Sequence, residues 1–164
     1  MLFLSILIPS TAIAWLIGNK TAGWRVHARR GLAAAMVIAG VTHFVNAEPF
    51  VQHLPEWVPA RELLVYLTGV IEVLLGVALM FARARRATVG RLLAAYLLAV
   101  FPANIYVAIA DVEVNGQPGG VYAWVRLPLQ ALFVLWALAT TSDTNAADVQ
   151  HVESRSLPAS SARS

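Results

Sequence analysis

The run Leu63-Leu-Val-Tyr-Leu-Thr-Gly69-Val-Ile-Glu72-Val-Leu-Leu-Gly76-Val-Ala-Leu-Met-Phe-Ala82 holds twenty residues and a single charge, Glu72. A helix rises about 1.5 Å per residue, so about 20 residues cross the ~30 Å hydrocarbon core of a bilayer. The run has that length and lacks the alternating pattern of a barrel strand. Four more apolar runs flank it. They are Leu2–Gly18, about Ala28–Ala47 with its uncharged heart at Gly31–Thr42, Ala87–Ala110 with Arg91 in its first turn, and about Tyr122–Thr140 with Arg126 near its start. The expected fold is therefore all-α, a polytopic membrane helix bundle.

Composition agrees. The 164 residues are 59% hydrophobic and 13% charged, whereas soluble domains carry about 25% charged residues. A soluble domain of this size buries about two-thirds of its surface and has no room for so much apolar side chain. An ordinary soluble globule, a disordered chain and a coiled coil are excluded. The chain has no cysteine, so disulfides, thiolate metal sites and thiol chemistry of its own are excluded as well. His27, His43, His53 and His151 are scattered without metal-ligand spacing, so no metal is expected.

Positive charge alternates loop by loop. Lys20, Arg25, Arg29 and Arg30 lie between the first two runs, and Arg83, Arg85, Arg86 and Arg91 at the junction of the third and fourth. Glu48, Glu56 and Glu62 dominate the second connection, and Asp111 and Glu113 the fourth. The positive-inside rule makes the basic loops cytoplasmic, with the N-terminus outside and the C-terminus inside. This clustering between spans leaves no basic face for a nucleic acid. Ala12-Ile13-Ala14 resembles a signal-peptide cleavage site, but no basic residue precedes the first run, and the charge bias favours a retained helix. Residues 141–164 read as a disordered cytoplasmic tail. Residues 48–61 are apolar yet broken by Pro49, Pro55 and Pro59, and read as a cap on the outer face. Phe50, Leu54, Trp57 and Val58 suit the headgroup boundary, and Pro59 suits the first position of the third long helix.

Polar side chains at membrane depth are costly and normally face the bundle interior and pair. The candidates are His43, Glu72, Asn104, Arg126 and Gln130, which counting from the outer helix ends places in the outer half of the bilayer on four helices. Gly69, Glu72 and Gly76 share a helix face, as do Gly40 and His43, and Arg126 and Gln130. The glycines suit close helix packing. Pro102 and Pro128 interrupt their helices' backbone ladders, and Asn104 is placed to satisfy a carbonyl freed by Pro102 or to donate to Glu72. The simplest pairing joins Glu72 to Arg126.

Several short stretches, in order, carry a resemblance. They are Gly40-Val-Thr-His43-Phe44, Phe50 with Leu54-Pro-Glu-Trp-Val-Pro59, Gly69-Val-Ile-Glu72, Phe101-Pro-Ala-Asn104-Ile-Tyr106 and Arg126-Leu-Pro-Leu-Gln130. Over about residues 30–140 the chain resembles the DoxX family of bacterial membrane proteins. The resemblance implies a four-helix membrane bundle, here with an additional N-terminal helix, in a bacterial inner membrane. Its motif positions fall on His43, Glu72, Pro102, Asn104, Arg126, Pro128 and Gln130. Family members are associated with a thiosulfate:quinone oxidoreductase, with complexes handling thiol or superoxide stress and, in animals, with chaperoning of membrane proteins.

Two readings stay open. In one, the polar residues bind a quinone-like or other lipophilic molecule, with Phe44, Tyr66, Phe101 and Tyr106 as an apolar slot, in an accessory subunit of a redox complex. In the other the chain is a non-catalytic scaffold, subunit or chaperone, partnered by a membrane protein or by its own copies, and the cluster is structural. No catalytic set is complete, so no enzymatic activity is expected of the chain alone.

Overall fold

A computed structural model describes residues 2–17, 23–81, 85–112 and 120–142. The disordered tail expected at 141–164 lies, from residue 143 on, outside the described residues. The described residues are all-helical: α1 (Leu2–Ile17), α2 (Trp24–Val45), the one-turn α3 (Glu48–Val51), α4 (Arg61–Phe81), α5 (Arg86–Ile109) and α6 (Gly120–Thr141). Three of them are long and apolar enough to cross a membrane: Arg61–Phe81, Arg86–Ile109 and, within α6, Ala123–Thr141. That is what a membrane protein requires. α2 has comparable length, but Arg25, Arg29 and Arg30 occupy its first two turns.

α2 packs against α4 and α6, and α5 against α4 and α6, so these helices close into a ring, with α1 laid along α2. Leu32, Met36, Leu79, Leu93, Phe133 and Ala137 fill the ring, and Leu7 of α1 joins the same cluster. Outward faces stay apolar: Leu63, Leu74, Phe81, Leu98, Ile109 and Leu135 are all exposed. A bilayer supplies the apolar surroundings such a surface needs. Trp15 and Trp24 are exposed at one end of the bundle and Trp57 and Trp124 at the other, the distribution expected of interfacial aromatic belts.

α2 and α4 meet through their glycines. A Cβ added at Gly40 would stand 2.7 Å from the Gly69 carbonyl oxygen, and one added at Gly69 would stand 2.7 Å from His43 Cβ. Gly76 faces the Ala33 carbonyl in the same way, at 2.8 Å. Missing side chains thus let two backbones approach, in a setting where packing rather than water exclusion drives helix association. α1 is joined to α2 by His27 Nδ1, which donates to the Ala14 carbonyl at 2.8 Å.

The capped end departs from expectation at Pro59. Pro59 is not the first residue of a helix: α4 begins at Arg61, after Ala60 in a left-handed conformation with φ 51°. Phe50 packs inward. Its ring centroid is 3.8 Å from that of His43, because α3 turns the chain back over the end of α2. Trp57, by contrast, is 82% exposed. α5 continues through Pro102 and α6 through Pro128, with both prolines on the outer surface.

Candidate functional site

His43 is buried in the last turn of α2. Its Nδ1 donates to the Val65 carbonyl at 2.9 Å, and the Thr68 hydroxyl lies 3.2 Å from the same nitrogen while donating to that carbonyl at 2.8 Å. A carbonyl oxygen only accepts, so Nδ1 carries a proton and Nε2 is the variable nitrogen. Nε2 faces Glu72 Oε2 at 3.6 Å, beyond hydrogen-bond distance. The other carboxylate oxygen, Oε1, accepts a hydrogen bond from the Tyr96 hydroxyl at 2.8 Å. Oε2 itself is buried without a hydrogen-bond partner. Glu72 stands about 16 Å along α4 from Arg61, near mid-helix.

The expected Glu72–Arg126 pair is absent. Glu72 meets His43 and Tyr96, and Arg126 donates to Nε2 of His53 at 2.6 Å. The difference in depth that a long arginine was to bridge stays unbridged, because a nearer acceptor in the cap takes the guanidinium. Asn104 does not reach Glu72 or a backbone carbonyl either. It donates to Gln130 Oε1 at 3.2 Å, and Gln130 Nε2 donates to the Leu97 carbonyl at 2.6 Å. That carbonyl neighbours Leu98, whose carbonyl loses its helical donor to Pro102. The five candidate residues therefore fall into three groups: His43 facing Glu72, which Tyr96 hydrogen-bonds, then Asn104–Gln130–Leu97, and Arg126–His53.

A model of a family described as a domain of unknown function, DUF8561, matches residues 32–141, about two thirds of the chain. The chain belongs to the DUF8561 family. No curated protein and no solved structure matches it. The DUF8561 region begins within α2 and ends at the last residue of α6, so it contains all three polar groups and leaves α1 outside.

Within this DUF8561 unit two functional candidates escape a reading of the sequence. Tyr96 supplies the one hydrogen bond to Glu72, yet tyrosine in an apolar helix reads as core or interface. Position gave a usable signal: Glu72 and Tyr96 lie twelve residues either side of position 84, in the link between α4 and α5, and residues equidistant from a helical turn share a depth. His53 is the second, masked by a proline-broken segment. Phe44 and Tyr66, expected to line a slot, stack on each other at 5.7 Å with both rings partly exposed. Tyr106 packs with Ala123, Val107 and Leu127 instead. Among the described residues no cluster of three or more His, Cys, Asp or Glu is placed to hold a metal.

Proposed function

We propose that this protein is a DoxX-type subunit of a bacterial inner membrane, with its N-terminus outside, that binds a quinone-like or other lipophilic carbonyl-bearing molecule at His43, Glu72 and Tyr96. The supporting observation is the orphaned Glu72 Oε2, buried opposite His43 Nε2. A buried carboxylate oxygen without a donor carries a desolvation penalty of about 1–3 kcal/mol or more. A bundle gains nothing structural from it, and an isosteric apolar residue is often as stable. The arrangement suits a site that gives up or takes on a proton and a hydrogen bond.

The bookkeeping of donors says what the site offers. With Nδ1–H committed to Val65, Nε2 and Oε2 are left as two facing acceptors able to share one proton, on either the carboxyl or the imidazole. That proton can hydrogen-bond a ligand carbonyl. Glu72 and His43 are the groups able to exchange a proton with it. A quinone bound here would carry the redox chemistry, with electrons delivered by a partner protein, since this chain has no thiol. Phe50, over His43, supplies an apolar wall.

A scaffold or chaperone role has its own support in Asn104, Gln130 and Arg126, which tie helices and cap together. The two readings separate in one experiment. Detergent-purified protein is extracted for bound quinone and then titrated with decylubiquinone, following tryptophan fluorescence. Binding that weakens about tenfold or more in Glu72→Gln, a loss of about 1.4 kcal/mol, with thermal unfolding unchanged, supports the ligand site. Equal titrations for both proteins, with no quinone in the extract, contradict it.

A further inference from the structure

The cap is fastened to the bundle at both ends of a four-residue span. Phe50 lies on His43 of α2, with ring centroids 3.8 Å apart. His53 joins two partners: its Nδ1 meets the Pro49 carbonyl, and its Nε2 meets the Arg126 guanidinium of α6 at 2.6 Å. A carbonyl only accepts and a guanidinium only donates. The two bonds coexist in one state alone, the neutral imidazole with its hydrogen on Nδ1. A proton on Nε2 would set N–H against N–H and place two cations at hydrogen-bond distance.

We propose that the His53–Arg126 bond is an acid-released clasp, whose protonation frees the cap from α6 and lifts Phe50 off His43, opening the way to the His43–Glu72 pair. The use made of that opening rests on the ligand reading above, but the release stands on the cap geometry alone.

The surroundings of His53 favour release. Arg126 faces it from α6 and His43 from α2. Glu48, in the cap itself, is engaged by Gln52 at 3.1 Å. α4 opens with Arg61 and the exposed Glu62, and Asp111 is exposed at the end of α5. Among the described residues no carboxylate bonds His53. Burial first, and the Arg126 charge second, push its imidazole down from 6.5 to about 4. A histidine depressed in the closed form stabilises closure fully above its free value, and that stabilisation is lost as pH falls toward the closed value. Between those limits the closing constant falls about tenfold per pH unit, or about thirtyfold from about pH 7.5 to about pH 5.

Absence of cysteine makes the test direct. Spin labels on Glu56→Cys in the cap and Trp124→Cys on α6, both exposed positions, report the separation of cap and helix by pulsed electron resonance in the full chain in nanodiscs. No ligand is added. The expected result is a single narrow distance at about pH 7.5 and a second, longer population that grows toward about pH 5. In His53→Gln the amide oxygen still accepts from Arg126 but does not titrate, so the pH response disappears. Arg126→Met shows the longer population at both pH values. A distribution that does not change with pH in the parent, or a response that persists in His53→Gln, overturns the proposal. Glu72→Gln retains the response, which separates failure of the clasp from failure of the ligand site.

Discussion

Replacing Gly40 by alanine lowers stability by about 2 kcal/mol, and replacing it by valine lowers it further, because overpacking a tight interface costs about 1–3 kcal/mol even when neighbours can shift. Here the neighbour cannot shift easily: the atom 2.7 Å from the new Cβ is the Gly69 carbonyl oxygen, part of the α4 backbone. Relief requires α2 and α4 to separate, and this pair carries the most extensive helix–helix packing in the bundle. Gly69→Ala has the same origin and a second consequence. Its Cβ meets His43 Cβ at 2.7 Å, so it moves the imidazole away from Val65 and Glu72 as well as spreading the helices. Chemical unfolding in mixed micelles measures both effects. Leu74→Ala is the control, since Leu74 is 62% exposed and an exchange of side chain for lipid contact is close to neutral. Gly40→Ala unfolding with the control would contradict the close approach of the two helices.

The second large effect is expected at Tyr96. Its hydroxyl provides the hydrogen bond to Glu72 Oε1, and Oε2 already lacks one. Tyr96→Phe leaves both oxygens of a buried carboxyl group unsatisfied, a cost of about 1–3 kcal/mol. The loss resides in the orphaned acceptor, not in the missing hydroxyl. Removing the acceptor too should therefore recover it, and the coupling energy in a double-mutant cycle of Glu72 and Tyr96 should be about as large as the loss itself. Additive single effects would show that the hydroxyl and carboxyl do not interact.

The helices were legible because their signal is summed over about twenty residues. A run such as Leu63–Ala82 has one charge and no competing periodicity, and its helix, Arg61–Phe81, lies within two residues of it. Gly40, Gly69 and Gly76 were legible for a related reason: small residues spaced along one face meet a neighbour wherever helices are packed by shape. The polar residues were legible as a set, since their cost in an apolar run marks them singly, but their pairing was not. Pairing depends on which acceptor comes nearest once the cap has folded back, and His53 reaches Arg126 through a segment whose prolines hide its path. Tyr96 stayed hidden for the opposite reason, since its ring looks at home among apolar neighbours and only its hydroxyl has business with Glu72.

Whether the Glu72 carboxylate is kept for what it binds or for what it stabilises is decided most directly by the unfolding free energy of the Glu72→Leu/Tyr96→Phe double variant, measured beside the parent in the same micelles. An apolar replacement of both partners is expected to be neutral or stabilising, so the variant should unfold no earlier than the parent while decylubiquinone binding disappears. A double variant that loses about 2 kcal/mol or more would contradict the ligand site and make the carboxylate a structural fastening.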